Sequence, residues 1–174
     1  EWISLSDSLV PFGSSGSSAL MCVESIAVDP STPNRLYMAA GNPNISSTAR
    51  GIYGSDNRGA SWYLVGASNT FKIQGNGGSR ANGERLAVDP NDPDILWYGS
   101  ITTGLRKFVK SGGTWTATQI PSTSVPFGTA DTGITFVVCD KNSGSTIVYA
   151  GVSDGTLGGV YQSTDGGTTW VKVG

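Results

Sequence analysis

The sequence repeats itself about every 50 to 60 residues, and this internal repeat limits the possible folds more than any other feature. Apolar runs that end in or near an aspartate recur as SIAVDP at 25–30, RLAVDP at 85–90 and TFVVCD at 135–140. Their aspartates, Asp29, Asp89 and Asp140, are 60 and 51 residues apart. Because each stands where an apolar run enters a polar turn, we interpret all three as turn caps. Repeats of this length are typical of folds built from successive copies of one supersecondary unit.

Each repeat contains four short apolar runs separated by polar or glycine-rich turns, a pattern that predicts antiparallel β-hairpins. A tryptophan opens the fourth run at Trp62, Trp115 and Trp170, and Trp2 stands in the same phase. Four strands per repeat, with a glycine turn before the last one, are typical of β-propeller blades. The sequence therefore predicts an all-β fold, a partial β-propeller of about three four-stranded antiparallel blades.

We place the blades at 20–66, 82–121 and 132–174, and we assign 1–19 to the outer strand of a preceding blade and its loop. In this interpretation all four segments belong to one incomplete propeller domain. Propellers close with about four to eight blades, and a set of three leaves unpaired edges that invite further strands. We therefore expect the remaining blades of the same protein, or a second copy, to complete the ring.

The composition excludes several classes of function. Charged residues make up 14% of the chain and the net charge is −2. Because no run of lysine or arginine is present, we expect no nucleic acid partner. Even the stretch 134–139, which is apolar except for Thr135, is far shorter than the roughly 20 residues of a membrane span, so we expect no membrane. Without histidine, and with only Cys22 and Cys139 as thiols, we expect no metal, no cofactor and no disulfide.

Two turns resemble the Asp-box motif Ser-x-Asp-x-Gly-x-Thr-Trp. Residues 163–170 read STDGGTTW and match it throughout, while 55–62 read SDNRGASW with Asn57 at the aspartate position. A third stretch, 108–115, is a degenerate copy. The short Asp or Asn side chain accepts backbone N–H groups, glycine supplies positive φ, and tryptophan packs under the turn. We interpret Asp165 as structural, because one carboxylate without a partner makes an inadequate calcium or catalytic site.

Residues 71–91 resemble glycoside hydrolase family 74 (GH74), the xyloglucan-cleaving enzymes. FKIQGN at 71–76 and RANGERLAVDPN at 80–91 carry the similarity, which extends more faintly over the whole chain. The resemblance implies two seven-bladed propellers that face each other across a cleft holding the β-1,4-glucan backbone, and hydrolysis with inversion. It also implies one catalytic aspartate on each propeller. Neither aspartate maps onto this sequence, so we expect no catalytic residue in it.

The resemblance thus implies an N-terminal segment of a secreted glycoside hydrolase, with β-glucan polysaccharide (xyloglucan) as its partner. The segment would form part of the wall of the substrate cleft, and by itself we expect it to be inactive.

Candidate sugar-binding residues lie where the chain enters an inner strand, because the loops at that end of a propeller usually hold the ligand. They offer planar donors and acceptors for hydroxyl groups, or an aromatic ring for stacking, and they are Asn76, Arg80, Asn82, Glu84, Arg85, Phe127 and Asp131. Adjacent strand residues point to opposite faces. One interpretation is therefore that one of Glu84 and Arg85 faces the channel and the other ties neighbouring blades through a buried ion pair, and it stands equally with sugar binding by both.

Two other functions remain open. A non-catalytic propeller that serves as a protein-interaction or assembly platform, as in Asp-box sorting receptors and photosystem assembly factors, would carry no carboxylate pair across any cleft. Sialidases share the box but use an arginine cluster with tyrosine and glutamate. Only Arg80 and Arg85 cluster here, which ranks the sialidase last.

Overall fold

Three four-stranded antiparallel sheets make up the part of the chain that the computed structural model describes, namely residues 23–41, 50–67, 73, 83–100, 102–128, 133–142 and 144–174. The first sheet contains β1 (Val23–Val28), β2 (Leu36–Ala40), β3 (Gly51–Ser55) and β4 (Tyr63–Ala67). The second contains β5 (Leu86–Val88), β6 (Ile95–Ser100), β7 (Gly104–Ser111) and β8 (Thr114–Gln119). The third contains β9 (Gly133–Cys139), β10 (Val148–Ser153), β11 (Gly159–Ser163) and β12 (Val171–Lys172).

Within each sheet the strands follow one another in chain order, so every connection is a hairpin. Over these residues we find no helix that could span a membrane. The chain divides into two compact units, Glu1–Gly75 with the first sheet and Asn76–Gly174 with the other two.

The first sheet buries its two central strands almost completely. Tyr37 and Ile52 are fully buried, and a small apolar cluster forms from Met38, Ala40 and Tyr53 with Trp62 packed against it. Strands covered on both faces carry continuous rather than alternating apolar residues, which is the pattern of β2 and β3.

The second and third sheets share one apolar core. Its buried members are Trp97, Leu105, Ile120, Val125, Ile134, Val137, Val148, Ala150, Val152 and Tyr161. Backbone hydrogen bonds also join the two sheets: Gly83 N–H donates to the Thr135 carbonyl at 2.9 Å, and Val137 N–H donates to the Glu84 carbonyl at 2.9 Å. The inner strand β9 thus contacts the start of β5 directly.

The 163–170 turn is organised by the Asp165 side chain, as the sequence predicts. Asp165 Oδ1 accepts the N–H groups of Thr168 (3.0 Å) and Thr169 (2.8 Å), and Ser163 Oγ accepts the Gly167 N–H at 2.8 Å. Asp165 also accepts the hydroxyl groups of Thr169 and Ser163, and its hydrogen bonds from Thr169, Ser163 and Thr168 lower its pKa to about 2. Trp170 closes the turn, because its Nε1–H donates to the Gly167 carbonyl at 3.1 Å.

The 55–62 turn repeats this arrangement with a neutral amide. Asn57 Oδ1 accepts the Ser61 N–H at 2.8 Å, and Asn57 Nδ2 donates to Ser61 Oγ at 2.8 Å. Ser55 Oγ accepts the Gly59 N–H at 2.8 Å. The prediction that Asn57 takes the role of the aspartate is confirmed by these contacts.

The 108–115 stretch differs from the other two turns. Gly112 and Gly113 form a two-residue hairpin turn with φ of 56° and 82°, and Trp115 lies inside β8, paired with Lys110. Two successive residues of positive φ match the twist of the flanking strands. This hairpin therefore does not need a side chain that hydrogen-bonds across the turn, as Asp165 and Asn57 do in theirs.

The aspartates that end the repeated apolar runs are turn caps, as predicted. Asp29 accepts the N–H groups of Ser31 (2.8 Å) and Thr32 (3.2 Å), and Asp89 accepts that of Asn91 at 2.9 Å. Asp140 does the same for Asn142, at 2.8 Å.

Cys139 is a free thiol, and Cys22 lies outside the described residues. Burial, with a smaller contribution from Asp89, raises the pKa of Cys139 to about 12.

Candidate functional site

The second sheet has one end at which β5 and β7 begin and β6 and β8 finish, which we call the entry edge. The register places Ser100 opposite Gly104 and Arg106 opposite Gln119. Since Glu84 and Arg85 immediately precede β5, they lie at the same edge. The predicted sugar-binding residues that the structure describes are Glu84, Arg85 and Phe127.

Glu84 and Arg85 occupy opposite environments. Glu84 is exposed, while Arg85 is 3% exposed. Their backbones are held in place, because the Arg85 carbonyl accepts the Gly99 N–H at 2.8 Å and the Glu84 carbonyl accepts that of Val137. Burial lowers the pKa of the Arg85 guanidinium, and the nearby Tyr98 partly opposes this effect. Of the two side chains, that of Glu84 is therefore the one exposed at the entry edge.

Phe127 lies on a return segment that runs from the end of β8 along the entry edge. The segment is anchored at Ile120, whose N–H donates to the Leu105 carbonyl at 2.9 Å, and at Val125, which is fully buried. The half-buried Phe127 ring rests against Gly104, where φ is +76° and an added Cβ would collide with the ring. A glycine at the start of β7 thus provides the seat for the aromatic ring.

A hydrogen-bonded network lies next to this ring. Arg106, 8% exposed, donates from Nη2 to Gln119 Oε1 at 3.0 Å, and Gln119 Nε2 donates to the Thr103 carbonyl at 3.3 Å. The Thr103 N–H in turn donates to Ser100 Oγ at 3.3 Å. Burial lowers the pKa of the Arg106 guanidinium. The network fixes the exposed amide of Gln119 at the entry edge.

Thr103, Arg106 and Gln119 are not among the residues predicted from the sequence. One signal was available, because a two-residue turn at Gly112 and Gly113 pairs residues equally distant from it and therefore sets Arg106 against Gln119. The remaining predicted residues, Asn76, Arg80, Asn82 and Asp131, lie outside the described residues.

Within the described part of the second and third sheets, the opposite edge carries Asp89, Asp140 and Asp165 and shows no comparable arrangement. Its carboxylates are occupied by the N–H groups of their own turns. Among the described residues, no three acidic or cysteine side chains come together in a way that could hold a metal ion.

Comparison with known proteins decides the family. The chain is 39% identical over 174 residues to a probable oligoxyloglucan-reducing end-specific xyloglucanase of Neosartorya fischeri, covering 99% of this chain and 20% of that protein. A solved GH74 enzyme of Niastella koreensis is 36% identical with a TM-score of 0.80, over 95% of this chain and 24% of that one. The chain belongs to glycoside hydrolase family 74. The resemblance stated from the sequence is confirmed.

Further relatives agree with this assignment. A Paenibacillus xyloglucanase is 35% identical over 167 residues, 87% of this chain and 16% of that protein. The GH74 xyloglucanase of Xanthomonas campestris superimposes with a TM-score of 0.72 at 34% identity, over 89% of this chain and 24% of that one. No protein-family model matches the chain. The GH74 chain spans about a fifth of the length of the curated relatives it matches.

The fold class predicted from the sequence is confirmed. The three antiparallel four-stranded sheets and the similarity to GH74 structures identify an all-β, partial β-propeller.

Proposed function

We propose that this GH74 chain is part of a secreted glycoside hydrolase that cleaves the β-1,4-glucan backbone of xyloglucan with inversion, and that it forms part of the wall of the substrate cleft. One observation carries the proposal: relatives named xyloglucanases are 35% to 39% identical to this chain over 87% to 99% of its length. Secretion follows from the substrate, since xyloglucan is an extracellular polysaccharide.

The contribution of this chain is binding rather than bond cleavage. Inversion needs two carboxyl groups about 6.5–9.5 Å apart, with a water between one of them and the sugar. We assign neither of them to this chain. Glu84, exposed at the entry edge, and Phe127, seated on Gly104, are suited to hydroxyl groups and to the apolar face of a sugar ring.

The buried Arg85 supports the position of its neighbour Glu84 in this proposal. Asn76, Arg80, Asn82 and Asp131 are assigned to the same wall from their places in the sequence. The 55–62 and 163–170 turns are Asp-boxes that stiffen the ends of the strands, and the remaining blades of the same protein complete the propeller.

The test uses the full-length protein that contains this chain. With tamarind xyloglucan we expect release of reducing ends, and proton NMR of the first products should show the anomer opposite to that of the cleaved bond. Inactivity on every β-glucan would contradict the hydrolase and favour the non-catalytic platform. A product that retains the anomeric configuration would contradict inversion.

A variant pair tests the binding edge. Glu84→Gln should raise KM for xyloglucan by about three- to tenfold, the effect of weakening one hydrogen bond to a charged acceptor, with kcat unchanged. Asp92→Asn is the matched control, because Asp92 is an exposed carboxylate at the opposite edge whose oxygen caps the Asp94 N–H at 3.1 Å. An equal KM for both variants would remove Glu84 from the binding wall.

A further inference from the structure

The side-chain amide of Gln119 has only one possible orientation. A guanidinium can only donate, so the atom that contacts Arg106 is the amide oxygen. A backbone carbonyl can only accept, so the atom that contacts the Thr103 carbonyl is the amide nitrogen. With both ends fixed at 3.0 and 3.3 Å, the exposed amide is preorganised and cannot flip.

This fixed amide retains binding capacity toward solvent. An amide oxygen accepts two hydrogen bonds and an amide nitrogen donates two, and the described residues use one of each. One lone pair and one N–H group therefore remain side by side on an exposed residue. A neighbouring acceptor and donor suit the adjacent hydroxyl groups of a neutral sugar, each of which both donates and accepts.

An aromatic surface stands next to the amide. Gln119 bonds to the carbonyl of Thr103, and Phe127 rests against Gly104, the next residue in the chain. The Cα atoms of these two neighbours are about 3.8 Å apart. The two features thus meet at the start of β7, and the Gly104 seat and the buried Arg106 hold them in place.

We propose that Gln119 and Phe127 form a sugar-binding subsite for neutral pyranose units at the entry edge, with Arg106 and Gly104 as its positioning residues. The subsite rests on the proposed function for its choice of polysaccharide. Beyond the proposed function, it assigns ligand binding to an amide on the last strand of the second sheet. It also explains why a glycine begins β7, since a side chain there would collide with the Phe127 ring.

The experiment measures xyloglucan binding and turnover separately in the full-length protein. Affinity electrophoresis through gels containing tamarind xyloglucan gives the dissociation constant, and reducing-end release gives kcat and KM. Gln119→Ala and Phe127→Ala are each expected to weaken binding about tenfold, in KM and dissociation constant but not in kcat. Thr118→Ala is the matched control, because Thr118 is exposed on the same strand but points to the other face of the sheet.

Arg106 is tested through its coupling to Gln119. Arg106→Met removes the donor that orients the amide and keeps an apolar stem, so it should weaken binding in the wild-type background and have no further effect in the Gln119→Ala background. Additive effects of the two substitutions would show that Arg106 acts only on stability and would overturn its positioning role.

The outcomes separate the subsite from the proposed function. Wild-type hydrolysis with unchanged binding in Gln119→Ala and Phe127→Ala would overturn the subsite and leave the hydrolase standing. Wild-type inactivity with binding that both variants weaken would overturn the hydrolase and support the subsite. Absence of any wild-type retardation by xyloglucan would overturn the subsite whatever the activity.

Discussion

A methyl group added at Gly167 tests how the 163–170 turn packs on the second sheet. Gly167 has φ of +93°, and its Cβ would collide with the Trp97 ring, lying 3.2 and 3.3 Å from Cζ3 and Cζ2. Trp97 is fully buried at the centre of the shared core, so the ring has no room to retreat. Left-handed backbone in alanine costs about 1–2 kcal/mol and overpacking adds about 1–3 kcal/mol. We therefore expect Gly167→Ala to destabilise the contact by about 2–5 kcal/mol.

Gly166→Ala is the matched control for this variant. Gly166 also has positive φ, +68°, but its Cβ would meet only Lys107 Nζ at 3.6 Å and Thr146 Cβ at 3.9 Å. The 55–62 turn carries Arg58 at φ 59° in the corresponding position, which shows that a side chain is tolerated there. Part of the backbone cost is offset because alanine has fewer unfolded conformations than glycine. We expect a loss of about 1 kcal/mol or less.

Native-state hydrogen exchange of the full-length protein measures both effects locally. In Gly167→Ala, peptides covering Ile95–Ser100 and Gly159–Ser163 should lose protection by roughly 30-fold or more, since each 1.4 kcal/mol is a factor of ten. In Gly166→Ala the loss should stay below about fivefold. Equal losses in the two variants would refute the claim that this turn packs on the Trp97 ring.

Three further perturbations follow from the same contacts. The pKa of Asp165 in the folded protein is about 2, below its ordinary value of 3.8. The ionised carboxylate therefore stabilises the fold above pH 4, and this stabilisation is lost toward pH 2. In acid titrations the difference in stability between wild type and Asp165→Asn should shrink over that range. The pKa of Cys139 is raised to about 12, so little of its thiol is ionised at pH 8. In Cys22→Ser protein, Cys139 should therefore react with maleimide at pH 8 at least roughly a hundredfold more slowly when the protein is folded than when it is unfolded. Equal rates would show that the thiol is not buried. Trp170→Phe removes the hydrogen bond to the Gly167 carbonyl and part of the edge-on contact with Trp97; we expect a loss of about 1–2 kcal/mol in urea unfolding, and no loss would contradict that packing.

The strands and turns were predictable because their causes are local in sequence. The hydrogen bonds of Asp165 span four residues or fewer, and Asn57 reproduces the same pattern within its own turn. A motif that carries all its own partners is visible in the sequence wherever it occurs. The same reasoning identified Asp29, Asp89 and Asp140 as turn caps.

The contacts between sheets were not predictable from the repeat. Trp97 lies outside the periodic series of tryptophans, yet it is the largest fully buried side chain among the described residues. Lys107 donates to the Gly166 carbonyl at 2.8 Å, across 59 residues of sequence, and lies 5.5 Å from the Trp97 ring centroid. Such partners are set by how two sheets meet, which no pattern within one repeat encodes.

The candidate site also contains some residues that the sequence could predict and others that only the structure reveals. Glu84 and Phe127 were candidates from the sequence alone, because their positions in the repeat place them at the start of an inner strand or in the loop before one. Gln119 sits on the last strand of its sheet, and only the register of the Gly112 and Gly113 hairpin reveals its partner Arg106. Whether an exposed amide is fixed or free depends on that partner, so the proposal of a binding role for Gln119 required the structure.

A structure of the full-length protein with a bound xyloglucan oligosaccharide tests the central claim most directly, namely that this chain binds glucan at its entry edge. We predict a sugar ring within hydrogen-bonding distance, up to about 3.2 Å, of the Gln119 amide or the Glu84 carboxylate, and in contact with Phe127. Sugar bound only at the opposite edge, or only to parts of the protein outside this chain, would contradict the account.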